Sequence, residues 1–218
     1  MIKRLKLGLQ MLRYTFGIKT CAIMGIFFLA IGILMELLPQ PVNSSGTLFI
    51  SLTGMWTIQL TYSLGVSNLV RSSKWAKAME TSIPALVGLV SFLVTYLLVL
   101  CLNLPYLSTA DEETMQIMAG EMILSGILAL VLMVYCGVAY KLFIVGTVLF
   151  LAVIFCGNFN APFMLMESLN IPVSFGTAVA IGFLEILVGA LLQYGVSCLL
   201  HKVPLSKKAQ MRGLQKLM

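Results

Sequence analysis

Long uncharged apolar runs, separated by short polar breaks, decide what this chain can fold into. Each run is of the length that crosses a hydrocarbon core about 30 Å thick, which takes about 20 apolar residues in a helix. Of the 218 residues, 60% are apolar and only 10% are charged. A water-soluble domain carries roughly 25% charged and 45–50% apolar residues. Six spans and their loops use the whole chain and leave no soluble domain over. The expected fold is all-α, a polytopic membrane protein with six transmembrane helices.

The path reads as follows. Residues 1–19 hold Lys3, Arg4, Lys6, Arg13 and Lys19 and no acid. Leu5, Leu9, Leu12 and Phe16 form an apolar stripe beside Lys3, Lys6, Gln10 and Arg13, the pattern of an interfacial amphipathic helix. The transmembrane domain is expected over residues 20–200. Span 1 covers 20–38 and is stopped by Pro39 and Pro41. Span 2 covers 47–69. Span 3 covers 83–102, with Ser82 as N-cap and Pro84 in its first turn, and Asn103 and Pro105 end it. Residues 115–157 are too long for one helix and split near 137–141 into spans 4 and 5, the second short. Residues 157–173 have about nine apolar residues between Asn and Pro, too few to span, and read as an interfacial or re-entrant element. Span 6 covers 174–200, and residues 201–218 are a basic tail.

All 14 Lys and Arg fall in four places: the start, residues 71–82, Lys141, and the tail. These lie on one side of a six-span path. The other side carries Asp111, Glu112, Glu113 and Glu167 and no base. The positive-inside rule makes the basic side cytoplasmic, so both termini are expected there, in a multi-pass protein.

Little in the spans is reactive. The one histidine, His201, sits at a helix end, where a solvated interfacial residue is expected. No phosphate-loop motif occurs, and the five cysteines have no metal-ligand spacing. These absences speak against an enzyme, against a metal site or cofactor, and against a self-powered pump. The net charge of +6 is explained by membrane orientation and calls for no nucleic acid. Glu185 lies deep in span 6, where a carboxylate is costly and faces a bundle interior or wet cavity. It shares a helix face with Ala178, Gly182, Gly189 and Gln193, a stripe suited to close helix approach. Its two readings are a polar cavity wall and a hydrogen-bonded lock between helices. Thr53, Thr57 and Thr61, with Asn68 beyond, form a polar stripe on span 2 expected to face a pathway or subunit interface. Thr hydroxyls also bond back to their own helix, which weakens the signal.

Residues 71–82, Arg-Ser-Ser-Lys-Trp-Ala-Lys-Ala-Met-Glu-Thr-Ser, read as a short cytoplasmic helix held between spans 2 and 3. Trp75 and Met79 stand one turn apart and are expected to give it an apolar face, with Lys74, Lys77 and Glu80 around it. The competing reading is an interfacial turn with a Trp anchor.

The layout resembles the ABC-2 type permeases, the transmembrane subunits of bacterial ATP-binding cassette exporters. The likeness covers the whole chain: basic amphipathic helix, six spans, a cytoplasmic helix after span 2, and a small element between spans 5 and 6. The Ser-Ser-Lys run leading to Met79-Glu-Thr-Ser-Ile-Pro84 is similar to the coupling-helix region of small permeases. The resemblance implies a place in the bacterial cytoplasmic membrane. It implies two partners, an ABC ATPase subunit that binds ATP and Mg, and a second permease subunit, identical or paralogous. Lys74, Trp75, Lys77, Met79 and Glu80 would couple to the ATPase. Thr53, Thr57, Thr61, Glu185 and Gln193 would line a pathway or interface, although the family gives Glu185 no role. The cargo would be small and amphipathic or hydrophobic, a peptide first. An ion-coupled carrier using Glu185, or a scaffold without transport, are the alternatives.

Overall fold

The computed structural model describes residues 18–37, 45–65, 70, 72–108, 110–156 and 173–203. Every regular element among them is helical: α1 (Ile18–Leu37), α2 (Ser45–Gly65), α3 (Ala76–Glu80), α4 (Ser82–Asn103), a 3₁₀ turn (Leu104–Ser108), α5 (Glu112–Ala139), α6 (Phe143–Cys156) and α7 (Phe175–His201). The interfacial helix expected before residue 18, the re-entrant element before Val173 and the tail after Val203 lie outside the described residues.

Four helices are long and apolar enough to cross a membrane. They are Ile18–Leu37, the run Ala76–Ser108 that contains α3, α4 and the 3₁₀ turn, Thr114–Ala139 within α5, and Phe175–His201. The chain is an all-helical membrane protein, but the expected count of six is met by four helices among the described residues. The other two expected spans fall short for different reasons. α2 has 21 residues but carries Thr47, Ser51, Thr53, Thr57, Gln59 and Thr61. α6 is apolar but has 14 residues.

α5 is the central helix. It packs most extensively on α7 and also against α2, α4 and α6, while α1 leans on α2. Ile50, Ile58, Phe92, Tyr96, Met122, Leu132, Met133 and Ile186 form the buried core. Outward faces are equally apolar: Ile23, Ile26 and Phe27 on α1, Val90, Val94 and Leu97 on α4, Leu184, Leu191 and Leu199 on α7 are exposed. A soluble monomer rarely shows apolar surface of that extent; lipid is its natural solvent. Cys101 is exposed on this kind of surface, whereas Cys136 is buried, and both are free thiols.

The small-residue stripe of α7 does what its spacing predicts. Of that stripe Ala178, Gly182, Gly189 and Gln193 are buried and Glu185 is half-buried, with Ile186 buried beside it. A Cβ on Gly126 of α5 would stand 2.7 Å from the Gly182 Cα. The two backbones therefore cross at a distance that only glycine permits.

Polar contacts gather at the two ends of the bundle. Glu36, Thr47, Asn103 and Glu121 meet at one end. Glu80, Lys141 and His201 meet at the other. Thus residues 72–82, the α5–α6 turn and the end of α7, all from the basic side of the sequence, are neighbours in space.

Candidate functional site

The segment before α3 is shaped by local hydrogen bonds. The Ser73 hydroxyl donates to the Val70 carbonyl at 2.7 Å and accepts from the Trp75 amide at 3.2 Å. Trp75 is itself the N-cap of the five-residue α3. Its carbonyl accepts from the Met79 amide at 2.9 Å, but Trp75 is exposed and Met79 buried, so the two do not present one outward apolar face. Met79 is turned inward among Leu64, Val70, Ile83 and Val87. Lys74, Trp75 and Lys77 are exposed, with the Lys74 ammonium 6.0 Å from the centre of the Trp75 ring. The cap expected at Ser82 also differs. Thr81 donates to the Lys77 carbonyl at 2.7 Å and Ser82 to the Ala78 carbonyl at 3.4 Å. Both hydroxyls finish α3 instead of capping α4, because the carbonyls of so short a helix have no other donors.

Glu80 points into the bundle. One oxygen, Oε2, lies 3.2 Å from Lys141 Nζ and 3.0 Å from His201 Nδ1. The Lys141 side chain is 3% exposed and that of Glu80 4%. Lys141 also donates to the carbonyls of Leu200, His201 and Val203 at 2.7, 3.1 and 2.9 Å. A helix end leaves its last carbonyls unpaired and partly negative, so a cation belongs there. Lys141 is therefore the hub that joins α3, the α5–α6 turn and the end of α7. The neighbouring Tyr140 stacks on Tyr62 of α2 with ring centres 4.4 Å apart. Lys141 entered the sequence reading only as a break between spans, and His201 as a solvated end residue. Pairings across 61 and 121 residues leave no trace in local periodicity.

The expected pathway residues are placed as follows. Thr53 lies between α1 and α2, donating at 3.4 Å to the Gly25 carbonyl. Thr57 contacts the Gly54 carbonyl at 2.7 Å and the Ser91 hydroxyl at 2.6 Å. Thr61 donates to the Ile58 carbonyl at 2.6 Å. All three hydroxyls are satisfied within the chain, and Asn68 lies outside the described residues. Gln193 donates from Nε2 to the Tyr62 hydroxyl at 3.3 Å, which contacts the Ser197 hydroxyl at 2.5 Å. Gln193 thus ties α7 to α2. Its Oε1 has no partner among the described residues. Glu185 stands against the Gly126 backbone, and its Oε2 is likewise buried without a partner. Glu185 and Gln193 share a flank of α7, but the structure joins neither to the threonines of α2.

Among the described residues no group of three or more His, Cys, Asp or Glu could hold a metal. No family model, curated protein or solved structure matches the chain. The resemblance to ABC-2 permeases accordingly rests on the layout and the run of residues 72–84.

Proposed function

We propose that the chain is the permease subunit of an exporter powered by a separate ATPase, with α3 as the element that receives the push. One observation carries this reading: α3 is tied at both ends and from within, yet Lys74, Trp75 and Lys77 are exposed on its outer side. Inward, Glu80 engages Lys141 and His201. A displacement of α3 is thereby handed to the α5–α6 turn and to α7 as well as to α2 and α4. An exposed tryptophan beside two lysines is an anchor of the kind that dominates interfaces. Met79 and Glu80 serve coupling from the inner side, as the links to the bundle.

The proposal keeps six crossings. The 21 residues of α2 rise about 31 Å, enough to cross, and its threonines are paired internally, which makes the passage tolerable. The 14 residues of α6 rise about 21 Å, and residues after Cys156 would supply the rest, including a re-entrant element. The orientation places Lys77 and Lys141 in the cytoplasm, as the charge partition requires. A small amphipathic cargo, a peptide first, fits the short connections at residues 38–44 and 104–111.

The test is ATP hydrolysis by the purified assembly. Trp75→Ala combined with Lys74→Ala and Lys77→Ala leaves the bundle folded, and truncating such an anchor costs about 2 kcal/mol or more of binding. Hydrolysis should lose its dependence on the permease, and export should fall. A triple variant that binds the ATPase and exports normally refutes the assignment. An ion-coupled carrier or a scaffold would instead purify from its own membrane with no nucleotide-binding subunit.

A further inference from the structure

At the end of the bundle opposite Lys141, two carboxyl groups share one hydroxyl. Thr47 Oγ1 lies 2.9 Å from Glu36 Oε1 and 2.6 Å from Glu121 Oε1. The Asn103 amide donates one hydrogen to Glu121 Oε2 at 3.2 Å and the other to the Val99 carbonyl at 3.2 Å. The four residues come from α1, α2, α4 and α5. Gly46 makes room for the cluster, since a Cβ there would lie 2.5 Å from Glu36 Oε1.

From this hydrogen-bond count we propose that Glu36, Thr47 and Glu121 hold a single proton between them, and that its release unlatches α1 from α2 and α5. A threonine hydroxyl has one hydrogen, and ionised carboxylates only accept. Thr47 cannot donate to both, so the chain of contacts closes only when one carboxyl is itself a donor. Glu121 is the acceptor. It receives hydrogen bonds at both oxygens, and its 2.6 Å contact with Thr47 has the length of a hydroxyl bonded to a carboxylate. Glu36 is then the acid, donating to Thr47 Oγ1. Thr47 and Glu121 are buried, whereas Glu36 is partly exposed, so the proton leaves from Glu36. The product is two carboxylates facing one hydroxyl hydrogen, and their repulsion acts across the α1 contact.

No counter-charge relieves this. Among the described residues neither carboxyl is paired with Lys, Arg or His. On α1 and α2 the only titratable group at the site is Glu36. α4 presents Asn103, and Tyr106 follows on the 3₁₀ turn. α5 presents Glu121, with Asp111 and Glu112 at its start, and α7 presents Glu185 farther along, at Gly126. Residues 38–44 and Thr109 contain no titratable side chain. Each of these ionisable side chains is an acid or a phenol, so none of the described residues offsets a second negative charge.

The experiment follows thermal unfolding of the detergent-purified protein from about pH 5 to about pH 9, a range spanning release from a shared carboxyl. The wild-type midpoint should fall by at least about 2–4 °C as pH rises. Glu36→Gln, whose amide donates to Thr47 as the acid does, should give a flat profile. Infrared difference spectra supply the second measurement, in a Glu185→Gln background that removes the embedded carboxyl of α7, whose Oε2 has no partner among the described residues. A protonated-carboxyl band should be present at low pH, vanish over the range in which the midpoint falls, and be missing when Glu36→Gln is added. A wild-type midpoint that does not fall with pH, the same fall retained in Glu36→Gln, or absence of the band at low pH overturns the latch. None of these outcomes depends on an ATPase partner.

Discussion

Lys141 is the residue on which the basic end of the bundle is assembled. It is a single lysine in an apolar stretch, and its one ammonium meets Glu80 and the carbonyls of Leu200, His201 and Val203 at the end of α7. Removing one partner of a buried ion pair costs about 3–5 kcal/mol, because it strands the other charge. Lys141→Met should therefore lower the unfolding midpoint clearly, while Lys77→Met on the exposed side stays within about 0.5 kcal/mol of wild type. Adding Glu80→Leu to Lys141→Met should recover part of the loss, since the stranded carboxylate is gone. Denaturant titration of the three variants decides it; equal effects of Lys141→Met and Lys77→Met would dissolve the hub. The sequence disclosed that Lys141 breaks a long apolar run and that Glu185 is embedded. It disclosed neither Glu80's inward turn nor the meeting of Glu36 with Glu121, which only tertiary packing brings about.

At the scale of elements, α3 has two sides with different duties. Met79 is 1% exposed, and truncating a buried methionine costs about 2–5 kcal/mol. Met79→Ala should thus destabilise the protein, whereas Trp75→Ala should leave stability nearly unchanged and act on the partner. Reversal of that pattern in thermal unfolding would mean that the two sides have been misassigned. The start of α5 is fixed differently. Asp111 accepts from the Thr114 amide at 3.0 Å, and hydrogen bonding from Thr114 holds its carboxyl below the ordinary aspartate value. A carboxyl lowered in the fold stabilises above its unfolded value, about 3.9, and that contribution fades as pH drops through the folded value. Asp111→Asn keeps an acceptor without the titration, so stability should lose this acid-limb dependence in denaturation below about pH 4. Helix limits were largely legible: α1 ends at Leu37 before Pro39, α4 ends at Asn103 before Pro105, and the 115–157 run divides at Tyr140–Leu142. Proline and a lone lysine are strong punctuation in an apolar chain. The caps of α3 were less legible, because a hydroxyl between two helices can serve either one.

For the whole molecule, charge partition and three-dimensional neighbourhood agree. Among the described residues, α3, the α5–α6 turn with Lys141 and the end of α7 converge around Glu80, and the Glu36–Glu121 cluster lies at the opposite end. With native cysteines replaced, thiols introduced near Asp111 should react with a membrane-impermeant reagent in intact cells, and thiols near Lys77 should not; the reverse labelling would invert the orientation. Apolar length alone established a membrane protein. It could not establish the number of crossings, since α2 carries threonines whose hydroxyls are hydrogen-bonded within the chain and α6 is short. What touches α3 decides whether it receives a push from another chain. A photo-crosslinking amino acid placed at position 75 in native membranes reads that contact directly. A crosslink to a protein with a nucleotide-binding fold is expected, weakened when Lys74 and Lys77 are replaced by alanine. A correctly inserted protein whose position 75 crosslinks only to lipid, or to proteins without such a fold, would contradict it.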